Sequence, residues 1–155
     1  DTALLNRLND KIRDTSLNCR IKTRCGSVFS LDLAKGSYDL VLAEGFLNMV
    51  GFEKGMTRIL PLLKERGFLI LHDEEKNQAE KEILIQQMGG QILDSFVLDP
   101  TIWWQHYYQC LDQAIASIED EDIRKLFCGD LKEIAAYRKD PAAFRSRYSV
   151  IQKII

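Results

Sequence analysis

The sequence predicts an α/β fold, since strand-like and helix-like segments alternate along most of its length. Tyr38–Ala43 is nearly continuously apolar, which is typical of a strand buried on both faces of a parallel sheet. A helical stretch follows, and Phe68–Leu71 then forms a second apolar run. Glu44 and Gly45 come directly after the first strand, where open α/β sheets bind ligands. This arrangement indicates a protein that acts on a small molecule or a nucleotide cofactor.

Composition excludes several classes of protein. The 155 residues are 46% hydrophobic and 28% charged, with a net charge of −2, as in an ordinary soluble domain. This charge gives no general attraction to nucleic acid, and no apolar run approaches the roughly 20 residues that cross a bilayer. No signal peptide is visible, and the four cysteines lack a Cys-x-x-Cys pair. We therefore expect a cytoplasmic protein with reduced thiols and neither a nucleic-acid nor a membrane partner.

The first elements can be justified from their patterns. Thr2–Thr15 carries apolar residues at helical spacing behind a polar N-cap, which predicts an amphipathic helix. Arg20–Cys25 alternates and stops at Gly26-Ser27, as a strand does. A connector then leads to the turn at Gly36-Ser37 and the apolar strand described above.

The middle of the chain predicts two further helices. The first, Thr57–Glu65, contains Pro61, which kinks the helix or begins its last segment, and Gly67 is its C-cap. The second, Asn77–Met88, is closed by a glycine pair. Gln91–Leu98 follows, and its alternation indicates a strand.

The pattern changes after the middle strands. Thr101–Ser117 and Ile123–Lys139 predict two helices separated by an acidic turn, and Arg147–Ile154 alternates as a last strand would. Residues 101–140 are therefore expected to form a helical insertion before the last strand of one domain covering residues 1–155. Because the chain begins inside a predicted helix, we expect it to be a piece of a longer protein.

Three polar groups at strand ends are candidates for a site. Glu44-Gly45 offers a carboxylate and a close approach to the backbone, or it is simply a first-turn acid with a turn glycine. Gly26-Ser27 could present a backbone N–H and a hydroxyl to a ligand, although a simple turn explains the pair better. His72 could be a base oriented by an acid, but strand-end polarity before an acidic helix start explains it better.

The densest aromatic cluster opens the helical insertion. On a helix, Trp103, His106 and Tyr107 would share one face, and Trp104 and Tyr108 another. Aromatic walls with a few polar tips are typical of small-molecule pockets. The same rings could equally anchor the insertion to the sheet.

The order of these motifs resembles that of class I S-adenosylmethionine-dependent methyltransferases, particularly their small-molecule subgroup. In that family a Gly-Asp or Gly-Ser pair ends the third strand, as at Gly26-Ser27, and a Tyr/Phe-Asp-Leu-Val strand follows, as at Tyr38–Val41. A helix ending in Leu-Lys-x-Gly-Gly leads to another strand, as at Leu63–Gly67 and Phe68–Leu71. A Trp-x-x-His-Tyr patch follows the sixth strand, as at Trp103–Tyr107.

The resemblance implies S-adenosylmethionine as cofactor, a small-molecule methyl acceptor and no metal. The residues that would lie against the cofactor adenine are Gly26, Ser27 and Val28. Those that would border its methionine moiety and the reacting centre are Ala43, Glu44 and Gly45. Those that would face the acceptor are Trp103, Trp104, His106 and Tyr107. His106 or Glu44 would take a proton from the acceptor, while positioning would dominate catalysis.

The resemblance also implies a Rossmann-like, three-layer αβα sheet that is incomplete on its N-terminal side. The family order is 3-2-1-4-5-7-6, and strands 1 and 2, with the glycine-rich cofactor loop and the ribose-binding acid, would precede Asp1. Without that loop and that acid we expect weak or no cofactor binding. Strand Tyr38–Ala43 would also expose an edge, so we expect a homodimer or other edge-paired oligomer. The alternative is a non-catalytic α/β module that works through oligomerisation or partner binding. A dehydrogenase half-domain fits less well, because the chain lacks Gly-x-Gly-x-x-Gly.

Overall fold

The computed structural model describes residues 1–154 and divides the chain into two compact units, Asp1–Leu33 and the part that begins at Ala34. The first unit contains the predicted N-terminal helix, α1 (Thr2–Asp14). Asp1 caps this helix, because its carboxylate accepts the backbone N–H of Ala3 at 2.8 Å. That the whole chain forms one domain stays a prediction.

The strand predicted at Arg20–Cys25 is wrong. This segment follows a turn in which the backbone N–H of Ile21 donates to the carbonyl of Leu17 at 2.9 Å, and it then runs without regular structure. A strand exists only when its backbone groups pair with a neighbour, and no strand among residues 1–154 pairs with this segment. Its side chains bond locally instead: the Thr23 hydroxyl donates to the side-chain oxygen of Asn9 in α1 at 2.8 Å.

The second unit is built on a four-stranded sheet in the order β1-β2-β4-β3. Its strands are β1 (Tyr38–Glu44), β2 (Leu63–Glu74), β3 (Gly90–Val97) and β4 (Ser146–Lys153). β1 and β2 are parallel, whereas β4 lies between β2 and β3 and runs antiparallel to both. The order matches the 4-5-7-6 portion of the sheet that the resemblance implied, so the α/β fold class is confirmed.

Helices connect these strands much as the sequence predicted. The link from β1 to β2 consists of α2 (Leu47–Val50), α3 (Phe52–Ile59) and a 3₁₀ turn (Leu60–Leu62), and α4 (Gln78–Gln87) links β2 to β3. The helical insertion between β3 and β4 consists of α5 (Thr101–Trp103), a π-helical turn (Trp104–Tyr108), α6 (Gln109–Ala116), α7 (Glu121–Lys125) and α8 (Cys128–Lys139). A further 3₁₀ turn, Pro141–Phe144, leads into β4. Over residues 1–154, no helix combines the length and apolarity needed to cross a membrane.

The helix predicted over Thr57–Glu65 ends at Ile59, and its predicted C-cap at Gly67 is wrong. Pro61 lies in the 3₁₀ turn that follows, because its ring and missing N–H prevent the α-helix from continuing. β2 then begins, and its first residues bulge out of the ladder with β1. A Cβ on Gly67 would lie 3.1 Å from the carbonyl oxygen of Tyr38, so this glycine allows the close approach of two strands.

The main core fills one face of the sheet, beneath α2, α3 and α4. Residues that are fully buried there include Leu47, Met56, Leu69, Ile85 and Ile151. On the opposite face, Leu40 and Leu42 of β1 are 51% and 64% exposed, so the prediction that this strand is buried on both faces is wrong. Within residues 1–154, β1 pairs with β2 alone, which confirms the exposed edge that the resemblance implied.

The helical insertion has a second core of its own. Its buried residues are Tyr108, Ile115, Ile134 and Tyr137. The single helix predicted over Ile123–Lys139 is divided between α7 and α8, and Phe127 at the division packs against this second core. The insertion therefore folds around its own aromatic side chains as well as joining β3 to β4.

Candidate functional site

One residue from each strand contributes to a row that crosses the sheet at the carboxyl ends of β1 and β2. Glu44 pairs with His72, His72 pairs with Tyr148, and Tyr148 pairs with Phe96. Directly paired residues project from the same face of a sheet, so their side chains are neighbours. We call Glu44, His72, Tyr148 and Phe96 the strand-end row. Because side chains alternate along a strand, the row lies on the face opposite the main core.

Aromatic stacking fixes the central side chain of the row. The His72 ring lies parallel to the Tyr148 ring, with centroids 4.3 Å apart and planes 6° apart. Trp103 of α5 stacks against His72 at a centroid distance of 5.9 Å and an interplanar angle of 15°. Phe96 stacks on Tyr148 at 5.4 Å, which extends the row to β3. The imidazole is therefore stacked with two other rings.

Hydrogen bonds and burial set the charge of the row. The Nε2 atom of His72 lies 2.9 Å from the Oγ atom of Ser146, and the Tyr148 hydroxyl donates to a carboxylate oxygen of Glu44 at 3.3 Å. Burial lowers the pKa of His72, although the nearby Glu44 and Asp73 carboxylates partly oppose this. Burial, followed by the proximity of Glu44, raises the pKa of Tyr148. The row thus favours a neutral imidazole beside a protonated phenol.

Charged pairs stabilise the strand ends around the row. Asp73 is 8% exposed and pairs with Lys81 of α4 at 2.6 Å, while its Oδ1 atom has no partner among residues 1–154. Arg147 donates to both carboxylate oxygens of Glu75, at 2.7 and 2.8 Å, and to the Ser95 hydroxyl at 2.7 Å. The bonds from Arg147 lower the pKa of Glu75, and with the bond to Ser95 they connect the residue after β2 to β3 and β4 next to the row.

The backbone after β1 leaves room beside the row. Ala43 is buried in the main core, whereas Glu44 is exposed. Gly45 has a positive φ of 59°, its N–H donates to the carbonyl of His72 at 3.2 Å, and a Cβ there would meet nothing within 4 Å. A ligand could approach this backbone closely.

The aromatic residues of the insertion separate into two groups. Trp103 faces His72, and its Nε1 atom is buried with no partner among residues 1–154. Trp104 instead stacks on Tyr137 at 6.0 Å in the second core. His106 and Tyr107 are exposed, in the π-helical turn. Of the four residues predicted to face an acceptor, the structure brings Trp103 to the strand-end row.

The remaining predicted cofactor residues belong to the first unit. Gly26, Ser27 and Val28 open a turn in which the carbonyl of Ser27 accepts the N–H groups of Ser30 and Leu31, both at 2.9 Å. This is the turn that the sequence allowed as the simpler explanation.

Sequence reasoning missed Tyr148 and Ser146 and assigned His72 to strand-end polarity. His72 and Ser146 are 74 residues apart in the chain, and only the register of β2 with β4 brings them together. The available signal was the alternation of the last strand, which places Ser146, Tyr148 and Val150 on alternate positions.

Comparison with solved structures identifies the fold. The [4+2]-cyclase SpnF matches 95% of this chain, with 61% of its own chain covered, 19% identity and a TM-score of 0.75. A second neighbour is an O-methyltransferase from a trans-AT polyketide synthase multienzyme of Brevibacillus brevis, solved in complex with S-adenosyl-L-homocysteine. It matches 94% of this chain at 15% identity, with 53% of its own chain covered and a TM-score of 0.62. The StiE O-methyltransferase matches 94% at 17% identity, with 54% of its own chain covered and a TM-score of 0.61.

These comparisons show that the chain has the fold of class I S-adenosylmethionine-dependent methyltransferases, as the motif order predicted. The chain spans less than two thirds of each of these three neighbours. No protein-family model and no curated protein sequence matches it.

Proposed function

We propose that this chain is part of an enzyme that transfers a methyl group from S-adenosylmethionine to a small-molecule acceptor. The observation that carries the proposal is the strand-end row, which places Glu44, His72 and Tyr148 at the carboxyl ends of β1 and β2, with Trp103 stacked on His72. The polyketide O-methyltransferase with S-adenosyl-L-homocysteine bound is one of the proteins that share this fold.

The residues after β1 fit one part of such a cofactor. When bound, S-adenosylmethionine supplies a methyl group on a positively charged sulfonium. The exposed Glu44 carboxylate complements positive charge, and the open backbone at Gly45 permits close approach. We assign Ala43, Glu44 and Gly45 to the methionine end of the cofactor and, by resemblance, Gly26, Ser27 and Val28 to its adenine.

We assign the acceptor to the insertion side of the row, at Trp103, Trp104, His106 and Tyr107. The contact between Trp103 and His72 supports this assignment for Trp103. Tyr107 is 48% exposed and lies edge-on to Tyr108 at 5.1 Å, so its ring offers surface to a ligand. Glu44 and His106 are the groups that the resemblance proposes as proton acceptors.

A non-catalytic module is the second candidate. The observation that favours it is the exposed β1, with Leu40 and Leu42 facing away from the main core. Such a surface suits association with another protein chain. In that case the strand-end row would only stabilise the fold.

Calorimetric titration of S-adenosylhomocysteine into this chain tests the enzyme proposal. We expect at most weak binding, and Glu44→Gln should weaken it further, because the carboxylate would face the amino end of the ligand. The matched control is Glu53→Gln, which changes an exposed acid of α3 in the same way. If the wild-type chain does not bind, the same titration on a longer chain that includes a glycine-rich loop decides: binding there would support the enzyme, and its absence would favour the module.

A further inference from the structure

We propose that His72 is the group that takes the proton from the methyl acceptor, and that the acceptor is a hydroxyl compound. This inference rests on the proposed function and assigns its proton transfer to a residue outside the set implied by the family resemblance. His72 lies beside Glu44 at the carboxyl ends of two parallel strands, where a ligand would bind.

The packing of His72 leaves one part of its ring for chemistry. Tyr148 stacks on the imidazole at 4.3 Å between centroids and Trp103 stacks on it at 5.9 Å, so the proposed contact with the acceptor is made at the edge of the ring. Nε2 lies 2.9 Å from the Ser146 Oγ atom. Nδ1 has no protein partner among residues 1–154 and is the nitrogen free to accept a proton.

The hydrogen bond between Nε2 and Ser146 decides the tautomer of His72. If Nε2 carries the proton and donates it to Ser146, then Nδ1 holds a lone pair and can act as a base. Ser146 is 6% exposed and begins β4, so it is a fixed partner for this bond. Ser146 is therefore a positioning residue, and His72 is the group that contacts the acceptor.

The charges around His72 suit a base that works near neutral pH. Burial keeps the free imidazole neutral, while the Glu44 and Asp73 carboxylates stabilise the imidazolium that forms on proton transfer. Tyr148 is the other titratable group facing the ring, and its raised pKa keeps it protonated. His106 lacks the packing and the hydrogen bond that position His72, because it is exposed and has no hydrogen-bond partner among residues 1–154.

A neutral amine can attack the methyl carbon with its lone pair and lose a proton afterwards. An alcohol or phenol keeps its proton at neutral pH and becomes a strong nucleophile when a base takes that proton during the step. In the proposed step the hydroxyl oxygen forms the bond to the methyl carbon and its proton moves to Nδ1. The electron pair of the broken carbon–sulfur bond stays on sulfur, so charge balances.

Nitrogen NMR of the histidine-labelled chain tests the tautomer without requiring turnover. The chain has two histidines, so the His72→Gln and His106→Gln variants assign both signals. We expect His72 to be neutral at neutral pH, with Nε2 protonated and Nδ1 bare, and we expect Ser146→Ala to remove this preference. A proton on Nδ1, or a charged ring at neutral pH, would overturn the inference.

Methylation of a panel of small phenols and alcohols, with matched amines, tests the role in catalysis. His72→Gln should lower the rate by about 100-fold or more and remove the loss of activity at acidic pH, whereas Glu53→Gln should change neither. A large loss in His106→Gln with an unaffected His72→Gln, or methylation of amines alone, would contradict the inference. Failure of S-adenosylhomocysteine to bind would instead count against the proposed function, while the tautomer experiment would still decide the state of His72.

Discussion

At the scale of the residue, the burial of His72 makes the stability of the fold depend on pH. Burial lowers its pKa from the ordinary value of 6.5, so the unfolded chain binds the proton more readily than the folded chain. The free energy of unfolding should therefore be highest above that value and fall as the pH falls through the lowered pKa. Denaturant unfolding at about pH 7.5 and about pH 5.5 measures this difference.

The matched comparison uses the two histidines. His72→Gln should reduce the loss of stability between the two pH values, because the residue that titrates is gone. His106→Gln is the matched control, since it replaces the chain's second histidine, at an exposed position, in the same way. The acidic residues are the same in all three chains and cancel in the comparison. Equal pH dependence in wild type and His72→Gln would show that His72 is not the residue responsible.

Sequence reasoning at this scale found the strand ends but not the arrangement around them. Glu44 and Gly45 were singled out because they follow a buried-type strand, and they do border the strand-end row. The sequence favours a structural role for His72, because a histidine followed by three acidic residues is a common way for a strand to end before a helix begins. Its significance comes from Tyr148, Ser146 and Trp103, and these are brought to it by tertiary contacts.

At the scale of the element, the ion pair between Asp73 and Lys81 stabilises the packing of α4 on β2. Both side chains are largely buried, at 7% and 14% exposure, and lie 2.6 Å apart. Lys81→Met would leave a buried carboxylate without its partner, which typically costs about 3 kcal/mol or more. Denaturant unfolding of this variant should show a loss of that size.

Two further variants separate the ion pair from other effects of the substitution. Lys125→Met removes an exposed partner of Asp122, with side chains 72% and 90% exposed, and should cost less than about 1 kcal/mol. Asp73→Asn combined with Lys81→Met should recover part of the loss, because no uncompensated charge remains. Similar losses for Lys81→Met and Lys125→Met would mean that the pair does not hold α4 in place.

Elements were predicted well where apolar periodicity agreed with local packing. α1, α4, β3 and β4 lie close to their predicted ranges for this reason. The strand predicted at Arg20–Cys25 failed because alternation alone does not supply a pairing partner. The cap predicted at Gly67 failed because a glycine at a bulge has the same sequence signature as one at a helix end.

At the scale of the whole molecule, the motif order predicted the sheet more reliably than any single motif. Each motif was only moderately specific, but their sequence implied the strand order now seen in β1, β2, β4 and β3. The comparisons confirm this fold over 94% or more of the chain for three neighbours. The oligomeric state that the missing strands imply stays a prediction, because it depends on which surfaces remain uncovered.

The uncovered surface of β1 predicts that the chain associates with itself. Leu42 is 64% exposed on the face opposite the main core, beside the edge of a strand that pairs with β2 alone within residues 1–154. We expect the average mass measured by light scattering to rise with protein concentration. Leu42→Lys should reduce this association, because a charge on the exposed face opposes pairing of apolar surfaces and strand edges. Ile83→Lys, at a 56% exposed position of α4, introduces the same charge elsewhere and should leave association unchanged. A constant monomer mass at all concentrations would contradict the prediction and would remove the main support for the non-catalytic module.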